Sequence, residues 1–183
     1  MRIPPEKLDP RLAGEVVRYH TELTLRPQTV AAHCWNVIRL LLVVWPDAPR
    51  HLIVEALFHD VGEGFAGDSP SPAKTASPAL RGAVAECEGE ARLGMAIPWG
   101  VPAHAPLSAH EENVLRLVDL LDAWEHCVWE VSSGNRFADV MVRRCDSRLR
   151  GWLSEAGWTP DGVAERARAY MARRAAVEAE RGA

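Results

Sequence analysis

Along this chain apolar residues recur at spacings of three and four far more often than they alternate, so helices are expected and strands are not. From Gln28 to Trp45 the apolar positions Val30, Trp35, Val37, Ile38, Leu41 and Leu42 form one broad helical face, and Pro46 stops the segment. Pro49 opens the next helix, at a favoured early position, and that helix ends at Asp60 to Gly62. Residues 61–78 carry Pro70, Pro72 and Pro78 among glycines and serines and read as a loop. A helix from about Pro78 to Ala96 comes next, broken by Pro98-Trp99-Gly100-Val101-Pro102. Ser108 with Glu111 three residues on is a capping-box pattern; it opens a helix to about Ser132, which closes at Ser133-Gly134-Asn135. Arg136 to Glu155 is another helix, closed by Gly157, and Pro160 starts a last one that frays into the polar tail Glu178–Ala183. No internal repeat or linker interrupts the pattern. The expected fold is all-α: a single compact domain over 1–183, a bundle of six or seven helices, with its core in about 15–157 and a last helix and tail in 160–183.

Composition narrows the class of protein. A chain of 183 residues is long enough for one real core. With 48% hydrophobic and 25% charged residues it reads as globular rather than disordered. A net charge of -4 supplies no general basic field, so a nucleic acid polymer is not the expected partner. A single nucleotide needs only a local cationic pocket and stays open. Lys7 and Lys74 are the only lysines beside many arginines, which singles out Lys74 in its loop. Cys34, Cys87, Cys127 and Cys145 form no CxxC pair, and Cys34 and Cys127 fall in apolar helical stretches, as buried thiols do. Trp35, Trp124 and Trp129 lie on helices and are expected to pack the core. The N-terminus lacks the apolar stretch of a signal peptide, and the longest apolar run, Leu40 to Trp45, is too short to cross a bilayer. A soluble protein of a reducing compartment is expected: the cytoplasm, or the host cytoplasm if the gene is a phage's, with no membrane partner.

The chemistry concentrates at His59-Asp60. The pair ends the apolar run Ile53-Val54-Glu55-Ala56-Leu57-Phe58 and is succeeded at once by the turn Val61-Gly62-Glu63-Gly64. A histidine and a carboxylate side by side where a buried helix breaks make a corner for a divalent cation. Imidazole suits Mn, Fe, Co, Ni or Zn, and carboxylate suits the harder ions, Mg included. His33 on the preceding long helix and Asp119 midway along the helix after Ser108 complete a set from three helices. Two imidazoles and two carboxylates leave one or two positions for water and substrate oxygen, the arrangement of a catalytic site rather than a structural one.

The spacing and its surroundings carry a family resemblance. His33, His59-Asp60 and Asp119 resemble the H…HD…D pattern of the HD-domain metal-dependent phosphohydrolases. Val30-Ala31-Ala32-His33-Cys34-Trp35 is similar to the "VAEHSW" segment of that superfamily. His59-Asp60-Val61-Gly62-Glu63, with Gly67-Asp68-Ser69-Pro70-Ser71-Pro72-Ala73-Lys74 after it, resembles the "HDxxE…TGDxPxPxK" stretch of one branch. That branch holds the bacterial 5'-deoxynucleotidases and the small phage-type deoxynucleoside triphosphate hydrolases, including those that act on dATP. Gly134-Asn135 also fits the "GN" seen there. Ala32 and Tyr19 depart from the family, which commonly has Glu and Trp at those places.

The resemblance implies that His33, His59, Asp60 and Asp119 hold one divalent cation, typically Co or Mn, with Zn, Ni, Fe or Mg as alternatives. Glu63 is then the general base or acid for the attacking water. Asp68 positions water or the leaving oxygen. Arg18 offers a planar fork to a phosphate, Tyr19 stacks on base or sugar, and Lys74 contacts phosphate from a loop stiffened by Pro70 and Pro72. Asp122, one turn from Asp119, is a candidate on the substrate side. The implied reaction is hydrolysis of the 5'-phosphate ester of a deoxynucleotide. It releases phosphate from a monophosphate or tripolyphosphate from a triphosphate, and a homo-oligomer is implied with it. The alternatives are a cyclic-nucleotide or alarmone phosphodiesterase, which shares the ligands, and a non-catalytic HD module that only binds nucleotide. Retention of Glu63 beside the four ligands speaks against a mere binder.

Overall fold

A computed structural model describes residues 3–4, 8–154 and 162–181 of the chain. The all-α expectation holds. Six helices of nine or more residues appear among the described residues: α2 (Val30–Val44), α3 (Arg50–Phe58), α6 (Pro78–Trp99), α7 (Ala109–Ser132), α8 (Asp139–Ser154) and α9 (Val163–Arg181). Three short ones join them: α1 (Pro10–Gly14), α4 (Glu63–Ala66) and α5 (Ser71–Ala76). No helix of the described residues is long and apolar enough to cross a membrane.

The chain groups into two compact units. The first takes Met1–Glu22, Pro27–Trp35 and Val54–Ala105; the second takes Leu23–Arg26, Asn36–Ile53 and Pro106–Ala183. In the first unit α6 packs on α4 and α5, and α1 packs on α4. Ala13, Val61, Met95 and Val101 make a small core there, with Leu8 and Phe58 against it. A two-residue antiparallel pair, β1 (Val17–Arg18) with β2 (Gln28–Thr29), leads into α2. Thr29 Oγ1 accepts from Ala32 N at 3.3 Å and satisfies one of the orphan amides at that helix start.

In the second unit α7 packs on α8 and α9. Val114, Leu117, Val118, Leu121 and Trp124 from α7 are buried, as are Leu149 and Leu153 from α8 and Ala167 and Met171 from α9. The capping box forms as its residue types require. Ser108 Oγ accepts from Glu111 N at 3.3 Å, and Glu111 Oε2 accepts from Ser108 N at 2.8 Å. Arg39 joins Glu125 and donates to Tyr170 at 3.0 Å, tying the later part of α2 to α7 and α9. Cys34 and Cys127 are buried, and the four cysteines are free thiols.

Several expectations fail for local reasons. The stretch 61–78 is not one loop: it contains α4 and α5. Pro70 and Pro72 start α5 rather than forbid it, because a proline in the first turn forfeits only an amide that had no helical partner. Helix α6 runs through Pro98 to Trp99, since a proline in the last turn removes one bond and leaves the rest of the helix intact. Trp35 is 64% exposed instead of packed inside, while Trp124 is buried as expected. Glu178 belongs to helix rather than to a frayed tail. It is buried and paired with Arg174 at 2.8 Å and Arg181 at 3.1 Å, so the last turns have something to hold. The expected start at Pro160 and the stop at Gly157 lie outside the described residues.

Candidate metal centre and phosphate site

The first unit brings His33, His59 and Asp60 to one point. His33 sits in the first turn of α2 and is fully buried. His59 and Asp60 come just after the last residue of α3, where a tight turn replaces the helix: Val61 N donates to Phe58 O and Glu63 N to Asp60 O. His33 Nε2 and His59 Nε2 are 3.2 Å apart. Asp60 Oδ2 lies 3.3 Å from the first and 3.4 Å from the second. Donor atoms at adjacent corners of a tetrahedron with bonds of ~2.05 Å are about 3.3 Å apart. The triangle therefore has the edges of a shared first-row divalent ion. The His59 Nδ1–H donates to Ala56 O at 2.9 Å, which turns Nε2 toward the cluster.

The electrostatics agree with a donor set made for positive charge. Burial disfavours the charged His59 ring, yet the Asp60 carboxylate beside it overrides this and pushes the group up to about 9. Burial acts upward on Asp60 too, but His59, His33 and Arg18 hold it well below the usual carboxylate range. Arg18 donates to Asp60 Oδ2 at 3.0 Å, so a guanidinium stands directly on the cluster. It also lies 5.8 Å from the Tyr19 ring centroid. Tyr19 has φ +58, a left-handed conformation that costs a non-glycine residue about 1–2 kcal/mol. Asp68 Oδ2 accepts the Tyr19 amide at 3.1 Å and holds that bend.

Glu63 opens α4, is 4% exposed, and has one carboxylate oxygen, Oε2, buried with no hydrogen-bond partner among the described residues. Burial first, then the Asp60 charge, pushes it up to about 8; Asp68 and Glu88 add to this and Arg18 opposes it. Such a carboxyl binds a proton near neutral pH, the property a general base needs.

Pro70 stands just before α5, and its carbonyl accepts from Ala73 N at 2.9 Å and Lys74 N at 3.1 Å. Lys74 is half-buried in α5. Asp119 lies midway along α7, half-buried, and Asp122 one turn on is buried; both belong to the second unit.

One acidic residue of this neighbourhood escaped the sequence reading. Glu88 of α6 is raised above the ordinary glutamate range, by burial first, with Lys74 opposing and Asp60 and Asp68 reinforcing. Its signal was present. Glu88, Ala91, Arg92 and Met95 keep the spacing 0, 3, 4, 7 of an inward helical stripe, and the last three are buried. Gly62 makes the approach possible: a Cβ there would lie 2.3 Å from Glu88 O.

Residues 13–153 match the 5'-deoxynucleotidase YfbR-like family. The chain belongs to the YfbR-like 5'-deoxynucleotidase family. A 5'-deoxynucleotidase, PM0747 of Pasteurella multocida (strain Pm70), is 31% identical over 133 residues, 68% of each chain. Among solved structures, the HD phosphohydrolase DatZ of cyanophage S-2L, bound to dA and one catalytic Zn2+ ion, superposes with a TM-score of 0.65. That likeness is at 20% identity and covers 97% of this chain and 98% of that one. An HD-domain phosphohydrolase of Listeria innocua gives a TM-score of 0.60 at 18% identity, over 92% and 96%. The fold is that of the HD phosphohydrolases, and the family is one of phosphate-ester hydrolases.

Proposed function

We propose that this chain is a 5'-deoxynucleotidase that hydrolyses deoxynucleoside monophosphates to the deoxynucleoside and orthophosphate. The observation that carries the reading is the His33–His59–Asp60 triangle with the Arg18 guanidinium 3.0 Å from Asp60, in a chain that matches the family over residues 13–153. His33, His59 and Asp60 are read as ligands of one divalent ion, with Asp119 as the fourth on the strength of the H…HD…D pattern. Two imidazoles favour a transition ion such as Co, Mn or Zn over Mg. Such an ion, when bound, neutralises phosphate charge and acidifies a water molecule.

The protein's own groups supply the rest. Arg18 binds two phosphate oxygens with its planar fork and orients the ester. Lys74 adds a second positive charge beyond it. Tyr19, held by Asp68, packs on the base or sugar. The buried oxygen of Glu63 takes the proton as water attacks phosphorus, and returns one to the 5'-oxygen as the P–O5' bond breaks. Asp68, which holds the Tyr19 bend, is read as the group on the water side, and Asp122, one turn from Asp119, as a candidate on the substrate side.

The test is a screen of deoxy- and ribonucleoside mono-, di- and triphosphates with Co, Mn, Zn and Mg, identifying the inorganic product. Orthophosphate from deoxynucleoside monophosphates is expected. Tripolyphosphate from triphosphates, or turnover confined to cyclic nucleotides, refutes the monophosphatase reading. Light scattering on the same preparations checks the homo-oligomer that the family resemblance implies.

A further inference from the structure

Arg92 of α6 is 1% exposed, and Glu55 of α3 is 5% exposed. The two make a fork-on-fork pair, 2.7 Å from Nη1 to Oε1 and 2.8 Å from Nη2 to Oε2. Arg92 Nε also donates to Pro102 O at 2.9 Å, Ala105 N donates to Glu55 Oε2 at 3.3 Å, and His104 Nδ1 is 2.8 Å from Glu55 Oε1. A buried ion pair is seldom more stable than apolar residues of the same volume. What this one offers is direction: two parallel hydrogen bonds fix the rotation of α3 against α6.

The position of the pair makes that direction useful. Glu55 precedes His59-Asp60 by one helical turn, and Gly62 comes directly after Val61. Their partners on α6, Arg92 and Glu88, are themselves one turn apart, about 6 Å along the axis. The ligand corner is therefore bracketed by two contacts to the same face of one helix: a charged fork before it and a backbone approach at Gly62 after it. Glu55 adjoins Ala56, whose carbonyl holds the His59 ring through Nδ1. A rotation of α3 would carry that ring with it, while metal–ligand distances tolerate only about 0.2 Å.

We propose that α6 is a two-point clamp that sets the metal-ligand geometry, with Glu55 and Arg92 as positioning residues and Gly62 as the second fixed point. This rests on the reading of His33, His59 and Asp60 as metal ligands, and the experiment separates the two. Co2+ is titrated into the metal-free full chain and its visible absorption band and affinity are recorded, with thermal unfolding measured beside them. The variants are Glu55→Leu/Arg92→Met, which exchanges the pair for apolar side chains, then Glu55→Gln, Gly62→Ala and, as a control, Leu149→Ala in the core of α8.

The double variant and Gly62→Ala are expected to bind Co2+ about 10- to 100-fold more weakly, with a shifted band, and Glu55→Gln to fall between them and the wild type. Leu149→Ala is expected to lower the melting temperature and leave the band and affinity unchanged. Should the double variant not fold, Glu55→Gln and Gly62→Ala carry the same comparison. Wild-type affinity and spectrum in every folded clamp variant overturn the clamp alone. Absence of Co2+ binding by the wild type overturns the metal reading and the clamp with it.

Discussion

Two glutamates are withdrawn from water almost equally and are treated in opposite ways. Glu63, at the turn after His59-Asp60, is 4% exposed; Glu130, near the end of α7, is 1% exposed. Glu130 accepts from Leu25 N at 2.7 Å, Arg26 N at 3.2 Å and Asn135 Nδ2 at 2.7 Å. Burial acts upward on it, but those donors bring it below the ordinary glutamate value. Glu63 Oε2 is given no donor among the described residues, and burial with the Asp60 charge takes it to about 8. A full set of donors turns a buried carboxylate into a fastening for the backbone at 25–26. Burial beside the Asp60 charge, with no donor to Oε2 among the described residues to offset it, leaves the other one basic. The contrast separates architecture from chemistry without reference to any substrate.

The strongest challenge to that contrast is Glu63→Ala. Hydrolysis is expected to fall by about 10^2- to 10^4-fold. The melting temperature should hold or rise, because the variant removes a buried oxygen that lacks a partner. Retained turnover, or a collapse of stability, would erase the distinction. Glu130→Ala should do the reverse. It removes the acceptor of the Leu25 and Arg26 amides and of the buried Asn135 side chain, costing about 1–3 kcal/mol in urea unfolding, with turnover per folded molecule near that of the wild type.

The two sites also part in their response to acid. The folded protein holds a proton on Glu130 less tightly than the unfolded chain does. Its contribution to stability is therefore present above the ordinary value of 4.5 and is lost as pH falls below it. Glu130→Gln should flatten that acidic limb of the stability curve, and an unchanged limb would contradict the assignment. The smallest effect is expected at Gly134, in the turn between Glu130 and Asn135. Its φ is +100, and a Cβ there meets nothing within 4 Å. Gly134→Ala should then cost about 1 kcal/mol of purely conformational origin, and a much larger loss in unfolding measurements would mean a hidden contact.

Much of the candidate site was legible because its residues sit at marked places in the pattern. His59-Asp60 ends an apolar run, His33 lies early in a helix, and Gly62, Pro70 and Pro72 punctuate the stretch from 61 to 78. Glu88 and Arg92 were harder to see. They lie in the segment Glu86-Cys87-Glu88-Gly89-Glu90-Ala91-Arg92, whose charges look like an exposed face until Ala91 and Met95 set the helical phase. The left-handed bend at Tyr19 carried no signal at all, since tyrosine has no preference for it and Asp68 imposes it from 49 residues away. Trp35 misled for the opposite reason: an aromatic on an apolar stripe that nevertheless points to solvent.

Helix identity, the order of helices and the kind of chemistry on offer were already written in the one-dimensional pattern. Periodicity, caps and the ligand types are local or compositional properties, and each acts wherever the residue stands. Which carboxylate became an anchor and which was left without a donor was not. Glu55, Glu63, Glu88 and Glu130 are the same residue type on helices, and their fates were set by partners 37 and 105 residues distant or by the lack of one. Desolvation and charge proximity depend on three-dimensional distance, and that quantity exists only once the chain has closed on itself.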